Sequence, residues 1–186
     1  MRQRRSEAGQ ALFELGITMP ILVALVLGVI QLGYVLFQTL LVSSIAREGS
    51  NLISRQVAIA DTETALQAMS GIVRFDSNSA LILSVVKLGM TGSNKDEPII
   101  VQRHTLGSFE AHSVLGDPPS SAYDVAPDYN AVNADNDGAI RVSGTLPNGL
   151  TLTAGESLYV TEVFTRSTSI VPFLPVPDTL YASAFF

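Results

Sequence analysis

The chain has 186 residues, with 11 Lys and Arg, 17 Asp and Glu, no cysteine, and a formal net charge of −6. That length holds one membrane anchor plus one domain of roughly 100–140 residues, and the lack of cysteine excludes both a disulfide framework and a cysteine-ligated metal. Beyond residue 45 the balance is 15 acidic to 8 basic residues, which argues against a nucleic-acid partner, since such a partner requires a basic face.

Charge and hydropathy are unevenly placed. Arg2, Arg4 and Arg5 crowd the N-terminus, and the 28 residues from Leu15 to Val42 contain no Asp, Glu, Lys, Arg or His. As a helix this run is about 42 Å long at ~1.5 Å per residue, against a bilayer core of about 30 Å. It is far too long for the apolar region of a cleaved secretory signal, so it is expected to stay attached and span the membrane. The arginines place the N-terminus in the cytoplasm by the positive-inside bias, with the C-terminal domain outside. Within the span, Pro20 cannot donate to the Gly16 carbonyl, which predicts a kink or loosened turn. Ala24 and Gly28 form a small-xxx-small pair suited to close approach of another helix.

Past the span the pattern becomes amphipathic. Ile45, Gly49, Leu52, Ile53, Val57 and Ala60 fall near one helical face, and Gly49 is a candidate for close packing. Asp61 is placed to cap a new turn, and Leu66, Met69 and Val73 continue the apolar stripe to about Arg74. This predicts one long bent helix or two helices meeting near Ala60–Asp61. Beyond Asp76 the grammar is that of strands: Ala80–Leu88 and Pro98–Leu106 form a hairpin across GMTGSNKDE. Gly116–Asp137, with three prolines and five aspartates, reads as a long solvated surface loop. Strands are further predicted at Ala139–Leu146, Leu150–Thr153 and Ser157–Arg166, with turns at Pro147-Asn148-Gly149 and Ala154-Gly155. Thr179–Phe186 is the last strand, with Leu180, Ala182, Ala184 and Phe186 on one face.

The expected architecture is α+β, a long N-terminal transmembrane and stalk helix with an antiparallel sheet packed on its C-terminal part. The expected division is a basic leader at 1–9, a transmembrane helix at 10–45, an amphipathic helical stalk at 46–75 and an extracytoplasmic β-rich domain at 76–186.

Glu14 is the one ionisable residue near the start of the apolar helix. An acidic residue at the centre of a membrane helix costs roughly 2.5–3.5 kcal/mol on insertion scales; a position near the cytoplasmic end lowers this, and the plain reading is a carboxylate at headgroup level. Its setting suggests more. A short basic leader ending in Ala8-Gly9, a glutamate at the fifth following position, and then an apolar helix together resemble a type IV prepilin signal. The resemblance implies cleavage by a membrane prepilin peptidase between Gly9 and Gln10, leaving the helix in the mature protein. It also implies that Glu14 pairs with the new α-amino group of Gln10 on a neighbouring subunit. Such a pair is stronger in an apolar filament core than in water and would set subunit register.

The residues that follow narrow the resemblance. Glu14, Leu15, Pro20, Gly28, Gly33 and Ala46-Arg47-Glu48-Gly49-Ser50 are similar to the N-terminal signature of TadE/TadF-like pseudopilins of the tight-adherence (Flp-type) pilus system. The C-terminal GESLYVTEVFTR, IVPFLPVP and TLYASAFF match in style. Leu15 stands where the major pilins of that system usually have Tyr, which favours a minor component, and Ser50 replaces the commoner Ala. The resemblance implies a pilin-like fold and an inner-membrane, single-pass minor pilin that assists pilus assembly for adhesion or secretion. Its implied partners are other pilins, the prepilin peptidase, the inner-membrane assembly platform and the lipid bilayer, without enzymatic activity or cofactor of its own. Ala24 and Gly28, with Glu14 and Pro20, are then the assembly residues. The alternative is a single-span envelope protein whose outer domain binds a ligand or surface polymer, with Gly9 and Glu14 incidental.

Asn133, Asp135, Asp137 and Gly138 fit positions 1, 3, 5 and 6 of a calcium loop, but position 12 is Gly144 where a bidentate Glu is needed; an Asp/Gly turn is the plainer reading. His104 and His112 have no other ligand-type residue at metal spacing and read as surface histidines. No HExxH, P-loop, GxSxG or strand-borne GxGxxG is present.

Overall fold

In the computed structural model, residues 3–143, 146–172 and 174–186 are described, without the side chains of residues 3–8 and 148. The leader residues Met1 and Arg2 therefore lie outside the described residues, as do the side chains of Arg4 and Arg5, and Gly144–Thr145 of the expected strand Ala139–Leu146.

Two compact units are present: residues up to Gln38 with Ser167–Pro177, and Thr39–Arg166 with Asp178–Phe186. The backbone of helix α1 runs unbroken over Gln3–Ser54. Pro20, where a kink or loosened turn is expected, lies inside the helix: the missing Pro20 N–H removes one bond from a ladder that its neighbours still support. From Gly9 to Val26 every residue is exposed, all round the helix. This is the one helix among the described residues long and apolar enough to cross a membrane.

In the second unit α1 ends at Ser54, and Gln56 takes a left-handed φ of 63° that turns the chain away. Helix α2, Ile59–Met69, follows. The chain thus forms two helices and not one bent helix, and they meet about three residues earlier than expected. Asp61 lies in the first turn of α2, where it favours the positive end of the helix dipole, while the N-cap is Ala58 with no side-chain cap. The stripe continues past α2 only as the buried Val73.

The sheet has order β2-β1-β3-β4, every pair antiparallel. Its strands are β1 Ser79–Leu88, β2 Pro98–Leu106, β3 Ser157–Arg166 and β4 Thr179–Phe185. Central β1 is buried on both faces over its first eight residues, which is why it reads as a continuous apolar run and not as an alternating one. A bulge between Val85 and Val86 sets Val101 out of register.

Helices cover one face of the sheet. Val42, Ile45, Ala46 and Ile53 of α1 and Ile59 and Leu66 of α2 pack with Leu81, Leu83, Val85, Val163 and Ala184. The face predicted for β4 is therefore the helix-facing one, with Leu180 and Ala184 buried, while Phe186 lies past the strand and is exposed. Ser50 adds a polar link, its Oγ donating to the Ala184 carbonyl at 2.7 Å. Close approach is set by Gly49: a Cβ built there would stand 2.7 Å from Thr161 Cγ2 and 2.8 Å from Thr161 Oγ1.

The opposite face is covered by irregular chain. Leu115, Ala122, Tyr123 and Ile140 pack on Val86, Ile100, Leu158 and Val160. The acidic loop Gly116–Asp137 is thus a covering layer and not simply a solvated loop. It also screens the outer edge of β2, since the Ala131 N–H donates to the Val101 carbonyl (2.8 Å) and the Arg103 N–H to the Tyr129 carbonyl (3.1 Å). The strands expected at Ala139–Leu146 and Leu150–Thr153 are absent from the described residues. Gly138–Ile140 is a 3-10 turn capped by Asp137, followed by a single bridge from Arg141 to Ile99. Arg141 is drawn off a ladder because its guanidinium bonds Asn94 Oδ1 (2.8 Å) and the Ser93 carbonyl (2.5 Å) at the β1–β2 turn. Leu150–Thr153 is irregular, between a 3-10 turn at Pro147–Gly149 and the Ala154-Gly155 turn.

Candidate functional site

The residues singled out for processing and assembly all lie on the exposed stretch of α1. Gly9 and Gln10 are exposed, and a Cβ at Gly9 would meet nothing within 4 Å. A glycine within a helix weakens it by about 1 kcal/mol relative to Ala, and at Gly9–Gln10 that weakening falls on an exposed stretch. One turn on, Gln10 Nε2 donates to Glu14 Oε1 at 3.1 Å. The Glu14 carboxylate therefore faces the Gln10 side chain on the same side of the helix. Thr18 Oγ1 donates to the Glu14 carbonyl at 2.8 Å, a back-bond one turn down the same helix.

Ala24 is exposed and Gly28 half-exposed. Gly28 lines an apolar groove of about 440 Å³ whose far wall is Leu174–Pro177. A Cβ at Gly28 would meet nothing within 4 Å, so the small residue is open on the side of the groove. The proline-rich segment also covers two glutamines that the sequence reading passed over. Gln31 and Gln38 are only 4% and 6% exposed, and Ser167–Val171 holds both. Their signal was available: two amides two turns apart in an otherwise apolar run.

In the second unit a polar cluster lies under the covering loop. Glu162 is fully buried in β3. Its carboxylate accepts from Ser113 Oγ, from the Val114 N–H at 3.0 Å and from Tyr181 Oη at 3.1 Å. Arg103 donates to the Gly116 carbonyl at 2.7 Å and reaches Asp117 at 3.4 Å. Burial pushes the Arg103 guanidinium down, while Tyr123, Glu162 and Asp117 work the other way. Burial raises Asp117, but the Ser113 N–H, His112 and Arg103 outweigh it and hold the carboxyl below its ordinary value. Tyr181 is pushed up to about 12, first by burial. The cluster is self-satisfied and pins the covering loop to the sheet.

The two histidines are far from a metal pair. His104 stacks on Tyr129 with ring centroids 3.9 Å apart, and its Nε2 is 3.1 Å from Glu63. It is half-buried and not a plain surface residue, and burial lowers its pKa against the pull of Glu63. His112 is exposed and bonded to Asp117 at 2.8 Å; that hydrogen bond and charge raise its pKa. Along the edge of β2, Arg103, His104, Tyr123 and Tyr129 line a groove of about 510 Å³. Two residues of the possible calcium loop accept hydrogen bonds: Asp135 Oδ1 from Thr91 Oγ1 (2.5 Å) and Asp137 Oδ1 from the Ala139 N–H (2.8 Å). Asn94 Nδ2 binds the Ala134 and Asp137 carbonyls. Asn133, Asp135 and Asp137 thus belong to a segment tied to the β1–β2 turn. Among the described residues no three or more His, Cys, Asp or Glu side chains are grouped to hold a metal.

Residues 9–51 match the family model described as TadE-like protein. The match begins at Gly9 and ends within α1, so the likeness covers the segment that carries Glu14, Pro20 and the Arg47-Glu48-Gly49 turn, and the sheet lies outside the matched range. No curated protein and no solved structure matches the chain.

Proposed function

We propose that this chain is a minor pilin of a tight-adherence pilus system, inserted with its C-terminal domain outside the cytoplasm, cut between Gly9 and Gln10, and used in filament assembly with no catalytic activity of its own. The observation that carries the reading is the TadE-like match over residues 9–51, on a helix whose residues from Gly9 to Val26 are all exposed. An apolar cylinder exposed on every side suits either lipid or the helices of neighbouring subunits, and a pilin exchanges the first for the second. Removing Arg2, Arg4 and Arg5 takes away the charges that would resist withdrawal from the bilayer. Glu14, one turn from Gln10, is then the acceptor for an α-amino group, its own or a neighbour's. Its partners in this reading are other pilins, a prepilin peptidase and an inner-membrane assembly platform.

Intact-mass measurement on the protein from the assembled system tests this directly. The expected species begins at Gln10, and Glu14→Ala is expected to be cut normally yet fail to assemble. Recovery of the assembled protein with Met1 still attached refutes the processing step; normal assembly of Glu14→Ala refutes the pairing role. The second reading, an anchored protein with a ligand-binding outer domain, has the Arg103–Tyr129 groove in its favour. It predicts that a Gly9 variant blocked in cleavage keeps full function.

A further inference from the structure

We propose that the proline-rich strap Ser167–Pro177 seats at the outer lipid–water interface and ends the membrane-embedded part of α1 at Gln31. The inference rests on the reading of α1 as a membrane span. Gln31 Oε1 accepts from the N–H groups of Ile170 and Val171, both at 3.0 Å, and from Ser169 Oγ at 3.2 Å. Gln38 Nε2 donates to Thr168 Oγ1, and Tyr34 Oη is 3.5 Å from the same oxygen. An irregular segment of backbone facing lipid does not lie within the hydrocarbon, where its free N–H and C=O groups have no partners. The strap therefore marks a depth that the hydrocarbon does not pass. Leu15 to Ile30, the uncharged residues below the strap, is 16 residues, about 24 Å at ~1.5 Å per residue. Gly9–Glu14 carries the helix to about 33 Å, so a core of about 30 Å is crossed with Glu14 near its cytoplasmic edge. The 28-residue uncharged run is longer than a bilayer needs, and the strap accounts for its upper part.

The strap suits that level chemically. From Ser167 to Pro177 it carries no charge. Ile170 is 54% exposed, and Pro172, Pro175 and Pro177 are exposed as well. The prolines bring apolar surface without N–H donors, so the desolvation penalty of entering the interface is small. Tyr34 is a residue type enriched at this boundary. The groove between Gly28, Leu32, Val35 and Leu174–Val176 is apolar and is open to acyl-chain segments of the same leaflet.

The chain has no cysteine, so single labels are clean. Ile21→Cys, Ile170→Cys and Pro175→Cys in the full chain would each carry an environment-sensitive dye in phosphatidylcholine–phosphatidylglycerol vesicles. Each would be quenched by lipids brominated near the headgroup, by lipids brominated near the chain end, and by aqueous iodide. The expected result is preferential quenching of both strap sites by the shallow bromines, and of site 21 by the deep ones. Iodide quenching of the strap sites with no bromine effect, while site 21 still reports lipid, overturns the strap proposal and leaves the span standing. Quenching of the strap sites by the deep bromines overturns the boundary at Gln31. If site 21 reports no lipid, the membrane reading itself fails and the strap proposal with it.

Discussion

Substituting Gly49 by Ala tests how α1 is seated on the sheet. On an isolated helix this change is favourable by about 1 kcal/mol, because Ala restricts the unfolded chain and Gly does not. Here the new Cβ would sit 2.7 Å from Thr161 Cγ2, 2.8 Å from Thr161 Oγ1 and 3.0 Å from Leu66 Cδ1. Thr161 is β-branched, fully buried and in a strand hydrogen-bonded on both sides, so its χ1 has little freedom to yield. Overpacking of this kind costs roughly 1–3 kcal/mol, giving a net loss of about 1 kcal/mol for Gly49→Ala after the propensity gain. Denaturant titration of the full chain in mild detergent, followed by hydrogen-exchange protection of the β1 and β3 amides, reads this loss. The Thr161→Ala background removes both close atoms, and there Gly49→Ala is expected to be neutral or stabilising. A full propensity gain of about 1 kcal/mol in the unaltered background would refute the steric argument.

Glu162→Ala leaves three buried or half-buried donors, Ser113 Oγ, the Val114 N–H and Tyr181 Oη, without their acceptor. At about 1–3 kcal/mol for each orphaned group it is expected to destabilise the sheet unit by roughly 3 kcal/mol or more, and Glu162→Gln by markedly less. A loss below about 1 kcal/mol by urea titration would show that the covering loop does not depend on this carboxylate. The chain has two histidines, and proton NMR should find them displaced in opposite senses: His104 titrating below 6.5 and His112 above it. For His104 the folded state favours the neutral ring, so its contribution to stability is full above the unfolded pKa and declines as pH falls through that value toward the folded one. For His112 the sign reverses: the contribution is present below 6.5 and is lost as pH rises through the raised folded value. Two coincident titrations near 6.5 would contradict both environments.

Much of this protein is local information. The apolar run, the basic residues before it, and Gly9 and Glu14 at their spacing are readable without a fold, because hydropathy and charge order are properties of a linear segment. Strands β1 to β4 were also legible, since each is a β-rich run bounded by turn residues, and the small residue at Gly49 pointed to a close contact. What the chain alone left open is what each face meets. The break between α1 and α2 falls at Gln56 because the chain must turn back toward the sheet, and no cap marks it. Ala139–Leu146 has strand composition, yet Arg141 is drawn to the β1–β2 turn and a ladder does not form. Glu162 reads as the polar position of an alternating strand until the loop from Ser113 closes over it. Gln31 and Gln38 read as minor blemishes in an apolar helix, and only a segment some 130 residues away, by the separations of their partners, gives them a purpose. Periodicity and charge patterning are properties of neighbours in sequence, whereas burial, partner and register depend on which distant segment arrives. For this chain the apolar character of the N-terminal helix was written in order along it, and the surroundings of its polar residues were decided by the return of the C-terminal strap and strands.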